Sequence, residues 1–335
     1  MAVGRDVPAP EATNSSCGRL CDTCEEFCVP WNSHFFAMLK DCGHTCKLIA
    51  DGENVVQGPG KFVDEIRKKL DCQKLWLSPH MDVPGEGELP PKLHELPGPL
   101  REMYSYGGLV DLKDNYMNSK YYGSKKDVSG LKHHWTKEMI EELVSEAHEH
   151  KLRGTYGFNE TQCLEAGLKD ADLRGKKVLV IGSERPWVEA LCLEHGASEV
   201  TTLEYASLVS SHDRVHTITP PKMAAAMEKD VPPSFDAIVT FSSVEHSGLG
   251  RYGDALNPFG DLITMARAWC VAKPGANLVL GVMSEGIGKR RSKILFNAHR
   301  SYGRVTYAQL LANWKQETFH KCGQSVFTST KLPAL

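Results

Sequence analysis

The chain has 335 residues, 41% hydrophobic and 24% charged, with a formal net charge of −3. This is the composition of an ordinary globular chain, long enough for one large domain plus an extension. The charge gives no support for a nucleic-acid partner, and no apolar run has the length of a membrane span. The start, Met1-Ala2-Val3-Gly4-Arg5-Asp6, has no apolar signal core, so the sequence reads as soluble and cytoplasmic, with the secretory-pathway lumen as the alternative.

Residues 1–16, rich in Pro, Ala, Ser and Asn, read as a disordered tail. A cysteine-rich helical module is expected over 17–60. Cys17, Cys21, Cys24 and Cys28 fall on one helix face, and Cys42 and Cys46 make a second Cys-x3-Cys unit beside Cys24 and Cys28. Three readings stand: disulfide-stapled helices, a Zn2+ site that includes His44, or an iron–sulfur cluster on Cys17-x3-Cys21-x2-Cys24. Free buried thiols are the plain alternative. The sequons Asn14-Ser15-Ser16 and Asn159-Glu160-Thr161 shift the compartment only slightly, because such triplets arise often by chance.

Residues 61–130 read as a connector and cover segment. A short amphipathic helix is expected over 61–71, a Pro- and Gly-rich linker over 79–99, and tyrosines after 104 that pack on the main domain. The main domain is placed at 131–335. Thr136 is suited to cap a helix with an apolar stripe of Met139, Ile140, Leu143, Val144 and Ala147, and a short helix is expected over 161–168. Strands are expected at 178–182, 200–204, 214–217, 237–241, 278–282 and 293–296. Helices are expected after Pro186, over 221–228, over 261–272 and over 310–314. This alternation predicts an α/β fold, a Rossmann-like and mostly parallel sheet with helices on both faces. Right-handed crossovers then bring the strand C-termini to one edge, where such folds bind ligands.

At that edge Gly182 ends the first strand and Glu204 the second. The spacing suits a nucleotide-like ligand, with the acid on ribose hydroxyls. The loop Gly182-Ser183-Glu184-Arg185-Pro186-Trp187 lacks the glycines of a pyrophosphate fingerprint, so a ligand with ribose and no phosphate fits better, and S-adenosylmethionine is one. The strand ending at Phe241 runs into Ser242-Ser243-Val244-Glu245-His246-Ser247-Gly248-Leu249-Gly250-Arg251-Tyr252-Gly253-Asp254. Surface loops rarely combine so many glycines with Glu, His, Arg, Tyr and Asp.

Together with Thr202-Leu203-Glu204-Tyr205, Asn257-Pro258-Phe259-Gly260-Asp261 and Phe296-Asn297-Ala298-His299-Arg300-Ser301-Tyr302-Gly303, these segments resemble domain-of-unknown-function family 268 over about residues 100–320. That family is grouped with the class I S-adenosylmethionine-dependent methyltransferases. The resemblance implies a seven-stranded sheet with Gly182, Ser183, Glu204, Tyr205, Asp236, Ser242 and Ser243 around the cofactor. The resemblance names no substrate; the expected reaction is transfer to a hydroxyl of a small molecule or glycan, with His246 as the base because it follows the cofactor strand, and Glu245 and Asp254 as further catalytic candidates. Arg251, Tyr252, Asn297 and His299 would meet the substrate. A divalent metal held by Asp254, Asp261 and His299 is a further expectation. The alternative is a scaffold that has lost cofactor use and works through the cysteine module.

Overall fold

The computed structural model describes residues 70–77, 90–117 except 107 and 109, 134–285 except 206, 207, 253 and 255, and 292–333. The expected tail, the cysteine module and all but the end of the 61–71 helix lie outside the described residues.

In chain order the elements are α1 (Cys72–Leu77), α2 (Gly98–Ser105), β1 (Val110–Asn115), α3 (Lys137–His148), α4 (Phe158–Ala171), β2 (Lys177–Ile181), α5 (Trp187–Glu194), β3 (Glu199–Leu203), β4 (Val215–Ile218), α6 (Pro220–Met227), β5 (Phe235–Phe241), α7 (Gly260–Val271), β6 (Ala272–Val282), β7 (Ser292–Asn297), β8 (His299–Ser301), α8 (Arg304–Leu310), β9 (Trp314–Lys321) and β10 (Ser325–Lys331). The main sheet has the order β9-β10-β6-β5-β2-β3-β4. β4, β3, β2, β5 and β6 run parallel, and β10 is antiparallel to both β6 and β9. A small second sheet joins β1 parallel to β7, with β8 folded back antiparallel.

The two faces of the central strands explain their unbroken apolar runs. Val178 and Val180 enter a core with α3, α4 and α5, while Leu179 and Ile181 enter a second core with α7 and α2. Thr136 caps α3 by accepting the Met139 amide at 3.2 Å. α4 is 14 residues long, where only a short helix was expected: it starts at Phe158 and runs to Ala171, and its first turn is mostly polar, with Thr161 its first buried residue. Helix was expected over 310–314; it ends at Leu310, and Trp314 begins β9. That strand is a sheet edge, half-exposed along most of its length, so it lacks the apolar run that marks β2 and β5.

The segment before the main domain is built into its core. Leu96, Leu100, Tyr104, Tyr106 and Val110 are buried among residues of α7 and β6. Tyr104 donates to the Gly248 carbonyl at 2.6 Å and stands edge-on to Phe296. Two disulfides close long loops, Cys72–Cys270 between α1 and α7 and Cys163–Cys322 between α4 and the β9–β10 turn. Cys192 is a buried free thiol.

Candidate functional site

A cavity of about 350 Å3 opens at the C-terminal edge of the parallel strands. It reaches the lower part of the roughly 300–1,000 Å3 range of small-molecule sites. Gly182, Ser183, Glu204, Tyr205, Ser242, Ser243, His246, Arg251, Tyr252 and Asp254 all line it. The structure thus brings most of the expected residues to one place.

The cofactor half is built from the ends of β2 and β3. Gly182 has φ 73°, in the left-handed region, and a Cβ there would overlap the Ser243 side chain. The bare backbone lets the loop turn sharply, with the Gly182 amide on the Leu203 carbonyl at 3.0 Å. Glu204 Oε2 accepts the Ser183 amide at 3.0 Å and Oε1 accepts the Tyr205 amide at 2.7 Å. Its carboxylate is thereby fixed at the strand end, where ribose hydroxyls would need an acceptor.

Glu189, in the first turn of α5, lies beneath this loop and was missed from the sequence. It is fully buried, and burial pushes its carboxyl up to about 7. Thr202 Oγ1 donates to its Oε1 at 2.7 Å, and Ser183 Oγ lies 3.1 Å from its Oε2. Ser183 Oγ also bonds the Arg185 carbonyl at 2.9 Å. One hydroxyl carries one proton, so a protonated Glu189 that donates to Ser183 satisfies all three groups at once. A first-turn acid reads as an exposed dipole partner in a sequence, which is why it gave no signal.

The acceptor half is the loop after β5. Asp254 receives the amides of Gly248 at 2.7 Å, Gly250 at 3.2 Å and Tyr252 at 3.2 Å. Both oxygens thus hold the loop backbone, and Asp254 shapes the turn that carries Arg251 and Tyr252. His246 is 8% exposed, and its Nδ1 lies 2.7 Å from the Ala298 carbonyl. A carbonyl only accepts, so Nδ1 carries the proton and Nε2 keeps its lone pair. Burial, and then the Arg251 charge, hold the ring neutral, with its pKa lowered to about 3. Arg251 itself donates to the Ala298 carbonyl at 3.0 Å and lies over the Tyr252 ring.

Glu245 is fully buried behind this wall, and burial raises its carboxyl to about 7. Ser242 donates to its Oε1 at 2.9 Å, and Ser242 is held at φ 51°, an unusual backbone for serine. Arg300, also buried, donates to the carbonyls of Ser247, Asn257 and Pro258 and pairs with Asp261 at 3.5 Å. Asp261 further accepts Tyr302 at 2.9 Å.

Three expected residues lie elsewhere. Asp236 opens β5, at the opposite end of the sheet, where it pairs with Lys273 at 2.7 Å and accepts the Lys177 amide. It sits at the N-terminal end of its strand, so it cannot share an edge with residues that follow theirs. Asn297 is fully buried and accepts the Met117 amide at 3.0 Å, and it is outside the cavity wall. His299 is also outside that wall, its ring 6.4 Å from that of His246. The Asp254, Asp261 and His299 metal site is not formed. Asp254 is used by amides and Asp261 by Arg300 and Tyr302, and no group of three or more His, Cys, Asp or Glu among the described residues is arranged to hold a metal. The cysteines 17–46 offered for Zn2+ are not among those residues.

Trp76, Thr264 and Arg267 also line the cavity and were not anticipated. Arg267 donates to the Leu75 carbonyl at 3.3 Å, and Cys270, one turn on, bonds Cys72. Contacts made across almost 200 residues leave no local pattern to read.

Residues 175–328 match the protein-family model described as "Caenorhabditis protein of unknown function, DUF268". The family resemblance carried by the sequence segments is thereby shown, over a shorter span than they suggested. No curated protein matches the chain. Among solved structures it is similar to 1,6-didemethyltoxoflavin-N1-methyltransferase of Burkholderia thailandensis, crystallised with S-adenosylhomocysteine, at 18% identity and a TM-score of 0.40, over 58% of this chain and 87% of that one. It is also similar to an S-adenosylmethionine-dependent methyltransferase of Mesorhizobium loti, at 13% identity and a TM-score of 0.36, over 52% and 98%. The strand order, with β10 alone reversed, gives a seven-stranded mixed α/β sheet, the strand number that the sequence resemblance implies.

Proposed function

We propose that the chain is an S-adenosylmethionine-dependent methyltransferase whose acceptor is a hydroxyl of a small molecule or glycan. The observation that carries this is the single cavity joining the Gly182–Ser183 turn and Glu204 to His246, Arg251 and Tyr252. The donor set fits the cofactor: a glycine-lined turn, a carboxylate at the second strand end, and no cluster of cations for a pyrophosphate. When bound, S-adenosylmethionine supplies an electrophilic methyl group on a sulfonium.

Glu204 accepts the ribose hydroxyls in this reading, and Tyr205 borders the base. Ser242 and Ser243 face the centre of the site. His246 Nε2 accepts a hydrogen bond from a second donor group of the acceptor and so fixes its pose. A ring held near 3 is poorly matched to draw a proton from a hydroxyl at neutral pH, so positioning replaces the base role expected of His246. Arg251 suits an acidic or polyhydroxylated acceptor. The two disulfides favour an oxidising compartment, the secretory-pathway lumen, over the cytoplasm.

The cofactor-free scaffold remains the competing reading, and the lone glycine of the 182–187 loop favours it. Calorimetry with S-adenosylhomocysteine separates the two. The expected result is micromolar binding, about −8 kcal/mol. Glu204→Ala should weaken it by about 1.5–3 kcal/mol, as loss of a charged hydrogen-bond partner does. Neither heat nor a thermal shift at saturating ligand would overturn the enzyme reading.

A further inference from the structure

Glu245 is a fully buried carboxylate joined to the cavity through a single hydroxyl, on the acceptor side of the site. Ser242 touches both sides: the residue lines the cavity, and its Oγ donates to Glu245 Oε1 at 2.9 Å. Tyr156, also on the cavity wall, lies close to the same serine. Glu245 Oε2 is sealed from solvent with no hydrogen-bond partner in ordinary range. Ser242, the residue that links the two, has a left-handed φ of 51°. Non-glycine residues seldom take that conformation, and strain of this kind clusters at functional sites.

We infer that Ser242 and Glu245 form a proton relay that takes the acceptor hydroxyl's proton out of the cavity, an inference that rests on the methyltransferase reading. As the acceptor oxygen bonds the transferred methyl carbon, its proton passes to Ser242 Oγ. The serine's own proton passes to Glu245 Oε1. The carboxylate becomes a carboxylic acid, the serine is regenerated, and no other reactant is needed. Arg251 faces Glu245 from the following loop, along with Tyr252, Tyr156 and Tyr302. Arg251 alone among these is a cation, and it favours the ionised form that accepts. Burial opposes it, and the balance near 7 is where a proton acceptor works best. Glu245 acts through Ser242, so its role is to hold the proton and position the serine.

The test needs no knowledge of the acceptor. Infrared difference titration of the whole protein between pH 5 and 9 should show a protonated carboxyl band that disappears near pH 7. Glu189 titrates in the same region, so the measurement is made in a Glu189→Gln background. Glu245→Gln should remove the band, and Ser242→Ala, which keeps the carboxyl buried, should shift it. Calorimetry near pH 7 in two buffers of different ionisation enthalpy then compares S-adenosylmethionine with S-adenosylhomocysteine. The cationic sulfonium should expel a proton, up to one per site, that the neutral thioether does not. Glu245→Gln should abolish that release with less than a twofold change in affinity for S-adenosylhomocysteine. A band unchanged by Glu245→Gln, or by Ser242→Ala, overturns the relay, and so does equal proton release with and without Glu245. No binding of either ligand by the wild type overturns the methyltransferase reading, and the relay falls with it.

Discussion

Single side chains carry the site's sensitivity to pH. Glu189 sits under the cofactor loop with its carboxyl raised from 4.5 to about 7 by burial. The folded state therefore binds a proton more tightly than the unfolded chain. Its contribution to stability is full below about 4.5 and is lost as pH rises through about 7. Glu189→Gln keeps a donor for Ser183 and an acceptor for Thr202 and cannot ionise. The expected outcome is a flatter stability curve between pH 5 and 8, with the variant gaining most at pH 8. Urea unfolding at a series of pH values reads this directly. A variant curve parallel to the wild type would show that Glu189 is already ionised in the native state.

Elements hold the acceptor loop in place, and the anchor is β8. Arg300 reaches from that short strand to the carbonyls of Ser247, Asn257 and Pro258 and to Asp261. Replacing it with methionine would leave a buried carboxylate unpaired, which costs about 3–5 kcal/mol. Arg300→Met should therefore lower the unfolding midpoint sharply, while Arg300→Met combined with Asp261→Leu should recover part of the loss. A double variant no more stable than the single one would show that the carbonyl contacts, and not the ion pair, are decisive. At this scale the sequence was unevenly legible. The strands β2, β3 and β5 stood out because buried parallel strands are continuous apolar runs that end abruptly in polar turns. The site residues at those ends followed from the topology, as Gly182, Glu204 and His246 show. Asp236 was misplaced because it is next to a site strand in sequence and at its far end in space. The β9–β10 hairpin, a half-exposed edge, has no such run, and β1 and β8 are too short or too polar to announce themselves. Asp261 was expected as a metal ligand and Arg300 drew no expectation, since a buried ion pair is a contact between distant segments.

For the molecule as a whole the open matter is the redox state, and the cysteines decide it. Of the eleven cysteines, four are paired in two disulfides and Cys192 is a buried thiol, which leaves Cys17, Cys21, Cys24, Cys28, Cys42 and Cys46. Each observed disulfide closes a loop of more than 150 residues, separations of 198 and 159. Bonds of that span stabilise a fold by about 2–4 kcal/mol, chiefly by restricting the unfolded chain. Such bonds persist where the surroundings are oxidising, and the same surroundings would pair the six remaining thiols. Alkylation of the protein after denaturation without reductant, in the presence of a chelator, counts them. Full pairing predicts one modified cysteine, Cys192. A zinc site predicts seven, because the chelator strips the metal and frees six more, with stoichiometric zinc recovered beforehand. Eleven would show that neither long-range disulfide forms and would return the protein to the reducing cytoplasm.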